Sequence, residues 1–355
     1  MDMTPGLGVI EGYFGRPWSH GDRKQVLTRL RELGYSWFHY APKADAFLRR
    51  RWRERHPEAA LGELADLSAH CRTLGLRFGV GLSPYELYRD FSGQARRAFV
   101  DKVRSLDDIG IDDLAILFDD TRGDVPELAA REAEIVHVAQ AHTQASRVLM
   151  CPTYYTDDRM LDVVFGERPR GYLHELGRRL DAAVAVYWTG EEVCAREFSA
   201  GHLARVADAL RRKPTLWDNY PVNDGPSMSR FLHLRGFTGR RHTLAGHVAG
   251  HAINPALQPH LSLIPAATLV ASYRDGEAYA YLQAFREAAR ALAGEPLAAL
   301  LQEDLHALQD RGLDALGDDR ARLRARYAGV EHPMAVEVRR WLDGAYRVDG
   351  WVEDA

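Results

Sequence analysis

Two aspartates stand side by side in the segment DDLAILFDDTRGD, residues 112–124. Asp119 and Asp120 directly follow the apolar run 114–118, so a buried strand would bring both carboxylates to its end. Such a pair could form a turn or helix cap, bind a divalent cation, or carry out acid/base catalysis. Two like charges this close cannot both ionise freely, so one pKa rises and that group can donate a proton near neutral pH.

A metal site would require further ligands. Magnesium or calcium would need additional oxygen ligands at matching spacing, and zinc would need histidine or cysteine. The nearest approach to a zinc-binding helix is HELGR, residues 174–178, which lacks the second histidine. The sequence therefore predicts no metal site.

Two tryptophans favour acid/base chemistry on a sugar. Trp188 and Trp217 each close an apolar run, and a tryptophan that caps a core gives the same pattern. A sugar, however, requires a flat apolar surface for its ring and fixed polar groups for its hydroxyls. Trp217 is followed by the polar segment DNYPVND, residues 218–224. His247 and His251, four apart in a strand pattern, are predicted to share a face and to pack structurally.

Composition narrows the class of protein. The chain has 355 residues, 46% of them hydrophobic, and a net charge of −4, so neither nucleic acid nor a membrane is expected as a partner. The cysteines, Cys71, Cys151 and Cys194, are far apart and predict buried or partly buried thiols of a reducing compartment. The first residues lack the basic region and the apolar core of a signal peptide, so we expect a cytoplasmic protein.

Short apolar runs rich in β-formers alternate with amphipathic stretches of helical spacing over about 270 residues. Eight such units predict an α/β protein with a (β/α)₈ TIM barrel at 1–274 and a small helical region at 275–355. A doubly wound open sheet is less favoured because no G-x-G-x-x-G turn follows the first strand. The predicted strands are 8–13, 36–42, 77–84, 114–120, 147–155, 183–190, 214–221 and 244–254, and the helices are 20–33, 60–74, 94–109, 126–143, 171–181, 199–212 and about 260–273.

In such barrels, catalysis takes place where the strands end. Aromatic, amide and carboxylate side chains recur at those ends, while basic ones are nearly absent, which is typical of a site for a neutral, hydroxyl-rich ligand. These strand-end residues are Glu11, Gly12, Tyr13, Pro42, Lys43, Asp45, Ser83, Asp119, Asp120, Tyr154, Tyr155, Trp188, Thr189, Trp217, Asp218, Asn219, Asp224 and Asn254.

Seven of these segments resemble glycoside hydrolase family 84, which comprises β-N-acetylglucosaminidases, protein O-GlcNAc hydrolases and bacterial enzymes often called hyaluronidases. The segments are GVIEGYFGRPWS, YAPKAD, ILFDD, CPTYY, WTG, WDNYPVND and AINP, in the family's order and spacing, over about residues 7–275. The chain departs from the family in having Ala44 where many members have aspartate, and EGYFG in place of EGFYG.

The resemblance assigns a role to each matching residue. Asp119 would orient the acetamido group of the substrate, and Asp120 would act as general acid and then general base. Tyr155 and Asn219 would bind the acetamido group, and Trp217 would form a wall around its methyl. The residues that would bind the sugar hydroxyls are Gly12, Lys43, Asp224 and Asn254.

The activity implied by the resemblance is retaining exo-cleavage of terminal β-linked N-acetylglucosamine (GlcNAc) from a glycoconjugate or glycoprotein. The substrate's own acetamido oxygen would be the nucleophile and would form an oxazoline, without metal or organic cofactor. Two alternatives stay open: a non-catalytic GlcNAc-binding barrel, and a similar glycosidase acting within chitin or peptidoglycan fragments. The helical region is a possible homodimer surface.

Overall fold

A closed barrel of eight parallel strands forms the centre of the molecule. The structure, a computed structural model, describes residues 5–350. Consecutive strands pair in chain order, and the last pairs with the first, which confirms the predicted (β/α)₈ barrel. The strands are β1 (Leu7–Glu11), β2 (Trp37–Tyr40), β3 (Arg77–Leu82), β4 (Asp113–Leu117), β5 (Arg147–Cys151), β6 (Ala185–Trp188), β7 (Thr215–Asp218) and β8 (Gly250–Ile253).

The strands are shorter than their apolar runs predicted. The predicted strand 147–155 ends at Cys151, because Pro152 has no N–H to donate to the ladder. The predicted strand 244–254 was wrong in its first half, where His242–Gly246 forms a 3₁₀ turn and only Gly250–Ile253 is extended.

The two histidines of that segment consequently differ in their surroundings. His251 lies on β8 and is fully buried, where it contacts the Tyr273 hydroxyl at 2.9 Å. His247 follows the 3₁₀ turn and is only partly buried. The prediction that they share a strand face was therefore wrong.

Helices follow the strands and cover the barrel. Two short ones, α5 and α8, lie in the loops that follow β5 and β7 and were not predicted. The helices are α1 (His20–Glu32), α2 (Glu58–Leu74), α3 (Gly93–Asp107), α4 (Leu128–His142), α5 (Met160–Phe165), α6 (Tyr172–Arg179), α7 (Ala200–Leu210), α8 (Gly225–Met228), α9 (Leu263–Asp275), α10 (Tyr281–Leu305, broken at Gly294), α11 (Asp319–Arg326) and α12 (Pro333–Leu342).

The helices after α9 pack directly on the barrel. Their buried apolar side chains join the barrel core in one continuous cluster. The Trp341 indole N–H donates to the Ser229 carbonyl at 3.3 Å, and the Glu337 carboxylate accepts from the backbone N–H groups of His260 and Leu261 at 2.9 and 2.8 Å. The boundary at residue 274 stays a prediction and falls one residue before the end of α9.

All three cysteines are free thiols. Cys71 and Cys151 are buried as predicted, but the prediction was wrong for Cys194, which is exposed in the loop after β6. Within residues 5–350, none of the helices combines the length and the apolar character needed to cross a bilayer.

Candidate active site

The aspartate pair lies immediately beyond the end of β4. The Phe118 N–H donates to the Cys151 carbonyl at 2.9 Å, which continues the strand pairing up to the residue before Asp119. Asp120 has φ +61°, in the left-handed region that aspartate tolerates better than most side chains. Asp119 is 7% exposed, whereas the Asp120 side chain has 27% of its surface open to the cleft above the barrel.

Lys43 lies between the two carboxylates. Its ammonium donates a short hydrogen bond to Asp119 Oδ2 and lies 3.6 Å from Asp120 Oδ2. Burial alone would lower the pKa of Lys43, but the negative charges of Asp119 and Asp120 outweigh it and raise that pKa. The lysine is therefore a fixed positive charge beneath the pair.

The second oxygen of Asp119 is unsatisfied. Asp119 Oδ1 is buried and has no hydrogen-bond partner among the residues of the described chain. A buried acceptor without a donor costs roughly 1–3 kcal/mol, so buried acceptors in native structures usually meet a donor from the protein, from water or from a ligand. The orientation of Asp119 thus leaves one carboxylate oxygen available to a donor from a ligand.

The carboxyl group of Asp120 has a raised pKa. Burial raises its pKa, the adjacent Asp119 charge raises it further, and the Lys43 charge opposes both without cancelling them. A carboxyl group with a raised pKa can remain protonated at a pH where a free aspartate would be ionised. Asp119 thus offers an oxygen that can accept a hydrogen bond, and Asp120 offers a carboxyl group with a raised pKa.

A polar and aromatic corner faces the pair. Gly12 packs so closely on Trp217 that a Cβ at this position would lie 2.3 Å from the indole. The Gly12 N–H donates to Asn254 Oδ1 at 3.3 Å, and Asn254 Nδ2 donates to Asn219 Oδ1 at 3.0 Å. Asn219 Oδ1 also accepts from the Trp217 indole at 3.0 Å, and Asn219 Nδ2 donates to the Val193 carbonyl at 2.7 Å. This network fixes the indole as a cleft wall.

Successive side chains at the end of β7 point to opposite faces of the barrel wall, so Asp218 does not face the cleft as Trp217 and Asn219 do. Its carboxylate points away from the cleft, accepts from the Arg240 guanidinium at 2.6 and 2.8 Å, and lies 3.0 Å from His251 Nε2. Burial alone would raise the pKa of Asp218, but Arg240 and His251 lower it. Asp218 is therefore a structural anion that supports the segment carrying Trp217 and Asn219.

Tyr155 and Asp224 complete the polar lining. Burial raises the pKa of Tyr155, so its phenol keeps its proton and can donate it in a hydrogen bond. Asp224 accepts from the Phe14 N–H at 2.8 Å. Burial, together with the charge of Asp120, raises the pKa of Asp224 to about 6.

These side chains enclose a cleft of about 200 Å³, which suits one sugar unit. The residues given a role by the family resemblance all line it except Lys43, which reaches it through Asp119. The prediction was wrong for Trp188, which is fully buried outside the cleft and donates to His202 Nε2 at 2.9 Å. Sequence reasoning missed several lining residues, because isolated apolar side chains and thiols give no signal for catalysis or sugar binding. They are Phe14, Cys151, Val193, Cys194, Val222 and Met228. Across the described part of the chain, no three His, Cys, Asp or Glu side chains gather as a metal-ligand set.

Comparison with known families identifies the group to which this site belongs. Residues 7–309 match the family described as beta-N-acetylglucosaminidase. The chain belongs to this family. The predicted membership in glycoside hydrolase family 84 is therefore confirmed, and the match extends past the barrel into the C-terminal helices.

Individual relatives agree with this family. Protein O-GlcNAcase of Rattus norvegicus and that of Mus musculus are each 28% identical over 281 residues, which is 75% of this chain and 30% of each relative. The chain thus spans about a third of the length of these relatives. An Asp-to-Asn mutant of the O-GlcNAc hydrolase of Thermobaculum terrenum superposes with a TM-score of 0.80 and 26% identity, over 96% of this chain and 81% of that one.

Proposed function

We propose that this protein is a retaining exo-β-N-acetylglucosaminidase that uses the substrate's own acetamido oxygen as nucleophile. Family membership supports the substrate class. The observation that carries the mechanism is the unsatisfied Oδ1 of buried Asp119 beside Asp120, whose pKa is raised. An acceptor that lacks a donor and an acid that keeps its proton are the two groups this reaction requires.

In the first step, the acetamido N–H of the sugar donates to Asp119 Oδ1 and gives that oxygen its missing partner. This contact turns the acetamido carbonyl oxygen toward the anomeric carbon and stabilises the positive charge that develops on the amide. The new C–O bond closes an oxazoline ring while the glycosidic C–O bond breaks, and Asp120 gives its proton to the leaving oxygen. An intramolecular nucleophile that is held in line lowers the activation barrier by about 7–11 kcal/mol relative to an external nucleophile.

In the second step, Asp120 is ionised and accepts a proton from a water molecule. The water oxygen attacks the anomeric carbon, the oxazoline opens and the acetamido group is restored. Two inversions at the same carbon give net retention. Asp120 returns to its protonated state, so the cycle needs neither a metal nor an organic cofactor.

The rest of the cleft binds one terminal sugar in this proposal. The Tyr155 phenol donates to the acetamido oxygen, and the Trp217 wall encloses the acetyl methyl. Asn219 holds that wall through its hydrogen bond to the indole. The hydroxyls of the sugar bind Asp224, Asn254 and the backbone of Gly12, with Lys43 supplying charge from below.

The acid role can be tested with Asp120→Asn. Without a proton donor, kcat/KM on a glycoside with a poor leaving group should fall by about 10²- to 10⁴-fold. An activated aryl N-acetylglucosaminide, whose phenolate leaves unaided, should lose much less. Equal losses on both substrates would contradict the acid assignment. Inactivity of the unaltered protein on both would instead favour a non-catalytic binding barrel.

The nucleophile can be tested through the acetyl group. Replacing acetyl by trifluoroacetyl withdraws electrons from the amide oxygen, so turnover should slow strongly with each added fluorine. A rate insensitive to fluorination would indicate an enzymic nucleophile. Proton NMR of the first-formed anomer should show the β product.

The biological setting belongs to the same proposal. We propose a GlcNAc-bearing glycoprotein or glycoconjugate as substrate, a cytoplasmic location, and a possible homodimer through the C-terminal helices. Product analysis on a chitin oligosaccharide separates removal of terminal residues from internal cleavage.

A further inference from the structure

Arg49 is a buried arginine in the loop between β2 and α2, six residues after Lys43. It is 9% exposed. Its guanidinium lies 5.2 Å from the ring centre of Phe14 and 5.9 Å from that of Tyr85. Aromatic faces attract such a cation, but they do not provide the hydrogen-bond acceptors that a guanidinium requires.

The guanidinium of Arg49 forms no ion pair with any residue of the described chain. Its Nη1 is buried without a hydrogen bond, and within residues 5–350 no carboxylate lies at ion-pair distance from it. Two other arginines, each 6% exposed, are paired: Arg23 with Glu11 at 2.7 Å and Arg240 with Asp218 at 2.6 Å. A buried charge without a counter-ion is costly, so Arg49 requires an explanation that the other two do not.

Arg50 extends the same positive surface into solvent. It is exposed, and its guanidinium lies 4.9 Å from the Tyr85 ring centre, so the ring contacts two arginines. The described chain offers Arg50 no ion pair either. We refer to Phe14, Arg49, Arg50 and Tyr85 as the arginine rim.

The arginine rim adjoins the cleft on the side of the proposed acid. Phe14 lines the cleft and also contacts Arg49. The positive charge of Arg49 acts on Asp120, where it opposes the rise in pKa caused by burial and by Asp119. Because Asp120 in the proposed reaction protonates the leaving oxygen, the group attached to that oxygen would emerge toward this rim.

We propose that the arginine rim is a leaving-group subsite that binds a carboxylate on the part of the substrate attached to the sugar. This inference rests on the proposed function and specifies its substrate: the leaving group is acidic. A carboxylate at the rim meets exposed Arg50 and gives Arg49 the anionic partner that it lacks in the free protein. Charge-assisted hydrogen bonds of this kind are among the stronger polar contacts.

A matched pair of substrates isolates the effect of the carboxylate. One is an aryl N-acetylglucosaminide with a 3-carboxylate on the phenyl ring, and the other has a 3-carboxamide of the same shape. We expect the unaltered protein to prefer the carboxylate by about tenfold in kcat/KM, and the preference to shrink as salt screens the charges.

Variants of the rim connect the preference to particular residues. Arg49→Gln and Arg50→Gln should each lower the carboxylate-to-carboxamide ratio several-fold, and Arg49→Lys should retain part of it. The control is Arg55→Gln, which removes one positive charge from the same loop. The Arg55 side chain is 67% exposed and forms an ion pair with Asp108 at 3.6 Å. If Arg49→Gln does not fold, exposed Arg50 alone carries the test.

The outcomes distinguish this inference from the function on which it rests. Hydrolysis of both substrates without preference, or a preference that Arg55→Gln lowers as much as Arg50→Gln does, overturns the subsite and leaves the glycosidase intact. Hydrolysis of neither overturns both. Glycopeptides with Asp or Asn beside the glycosylated serine then identify the source: a preference there indicates acidic peptides, and one confined to the aryl pair indicates a small acidic leaving group.

Discussion

The two ends of β4 carry aspartates in opposite circumstances. Asp113, at the start of the strand, is fully buried and saturated with partners. It accepts from Arg77 at 3.1 Å and from Arg147 at 2.5 Å, and it lies 3.0 Å from His39 Nε2. At the other end, Asp119 has a lysine partner, and its Oδ1 accepts no hydrogen bond from residues 5–350.

The pKa values of Asp113 and Asp120, at the two ends of the strand, are shifted in opposite directions. Burial would raise the pKa of Asp113, but the partners His39, Arg77 and Arg147 lower it well below the usual range. The pKa of Asp120 is raised instead. A carboxylate whose hydrogen bonds and ion pairs are all formed within the protein stabilises the barrel. A carboxylate oxygen without a hydrogen bond in the protein can instead accept one from a substrate. Under the proposed function, β4 thus carries a stabilising aspartate at its start and is followed by a substrate-binding aspartate at its end.

For the comparison of Asp113 with Asp119, the largest expected effect comes from Asp119→Asn. The amide keeps the shape of the side chain but loses the negative charge that would stabilise the acetamido group. We expect kcat/KM to fall by about 10²- to 10³-fold on both poor and activated leaving groups. Steady-state kinetics on the two substrates measure this, and a loss confined to poor leaving groups would contradict the assigned role.

The same substitution at the other end of the strand, Asp113→Asn, should act on stability. The substitution leaves the charges of Arg77 and Arg147 without their counter-ion, so we expect the free energy of unfolding to fall by about 3 kcal/mol. The loss is at the low end for a broken buried ion pair because both arginines are partly exposed to solvent. Urea denaturation measures the loss. The kcat of the folded fraction should be unchanged, and a large drop in kcat would remove the contrast between the two ends.

Lys43→Gln should change the pH dependence of activity. Lys43 lowers the pKa of Asp120, so removing its charge raises that pKa further. A general acid acts only while protonated, so the basic limb of kcat/KM on a poor leaving group should move to higher pH, with about a tenfold loss at the optimum. An unmoved limb would show that another group sets it. Asp113→Asn is the control and should leave the limb in place.

The smallest effect concerns Glu132, which lies below the loops after β4 and β5. Its carboxylate accepts from Thr153 N at 3.1 Å and Oγ1 at 2.6 Å, and from the Tyr172 hydroxyl. Burial raises the pKa of Glu132 to about 7 despite these donors.

This shift makes stability depend on pH. A glutamate ionises near pH 4.3 in the unfolded chain, so between about pH 4 and 7 the folded state binds more protons and its free energy of unfolding falls as pH rises. Glu132→Gln should flatten that slope. Asp113 has the opposite sign, because its contribution is present above the unfolded pKa and is lost as pH falls through its lowered folded pKa. Denaturation curves at several pH values compare the two; an unchanged slope in Glu132→Gln would count against the assignment.

Much of the barrel could be predicted because parallel strands buried on both faces must be apolar throughout. The run 114–118 therefore marked β4 and the position of the aspartates beyond it. The segment 244–249 was misassigned because its apolar residues pack from a 3₁₀ turn, a pattern that a strand also permits.

The cleft lining could be predicted at the strand ends that carry a family motif, but a polar residue at a strand end was not sufficient, since Glu11 and Asp218 lie outside the cleft and pair with arginines. The sequence could not predict which polar side chains lack a hydrogen-bond or ion-pair partner in the folded protein. Few basic residues were found at the predicted strand ends, and Arg49 was not singled out. Its surroundings depend on Phe14 and Tyr85, which come from the loops after β1 and β3, so they could not be read from the sequence. The sequence alone likewise could not show which oxygen of Asp119 is satisfied.

The left-handed backbone of Asp120, φ +61°, limits which residues can replace it. Most side chains with a Cβ pay about 1–2 kcal/mol there, while asparagine, aspartate and glycine are tolerated. A descendant that lost catalysis but kept the fold would therefore carry Asn or Gly at this position more readily than Ala. Under the proposed function, Asn or Gly at this position in a related sequence would mark a barrel that binds the sugar without cleaving it.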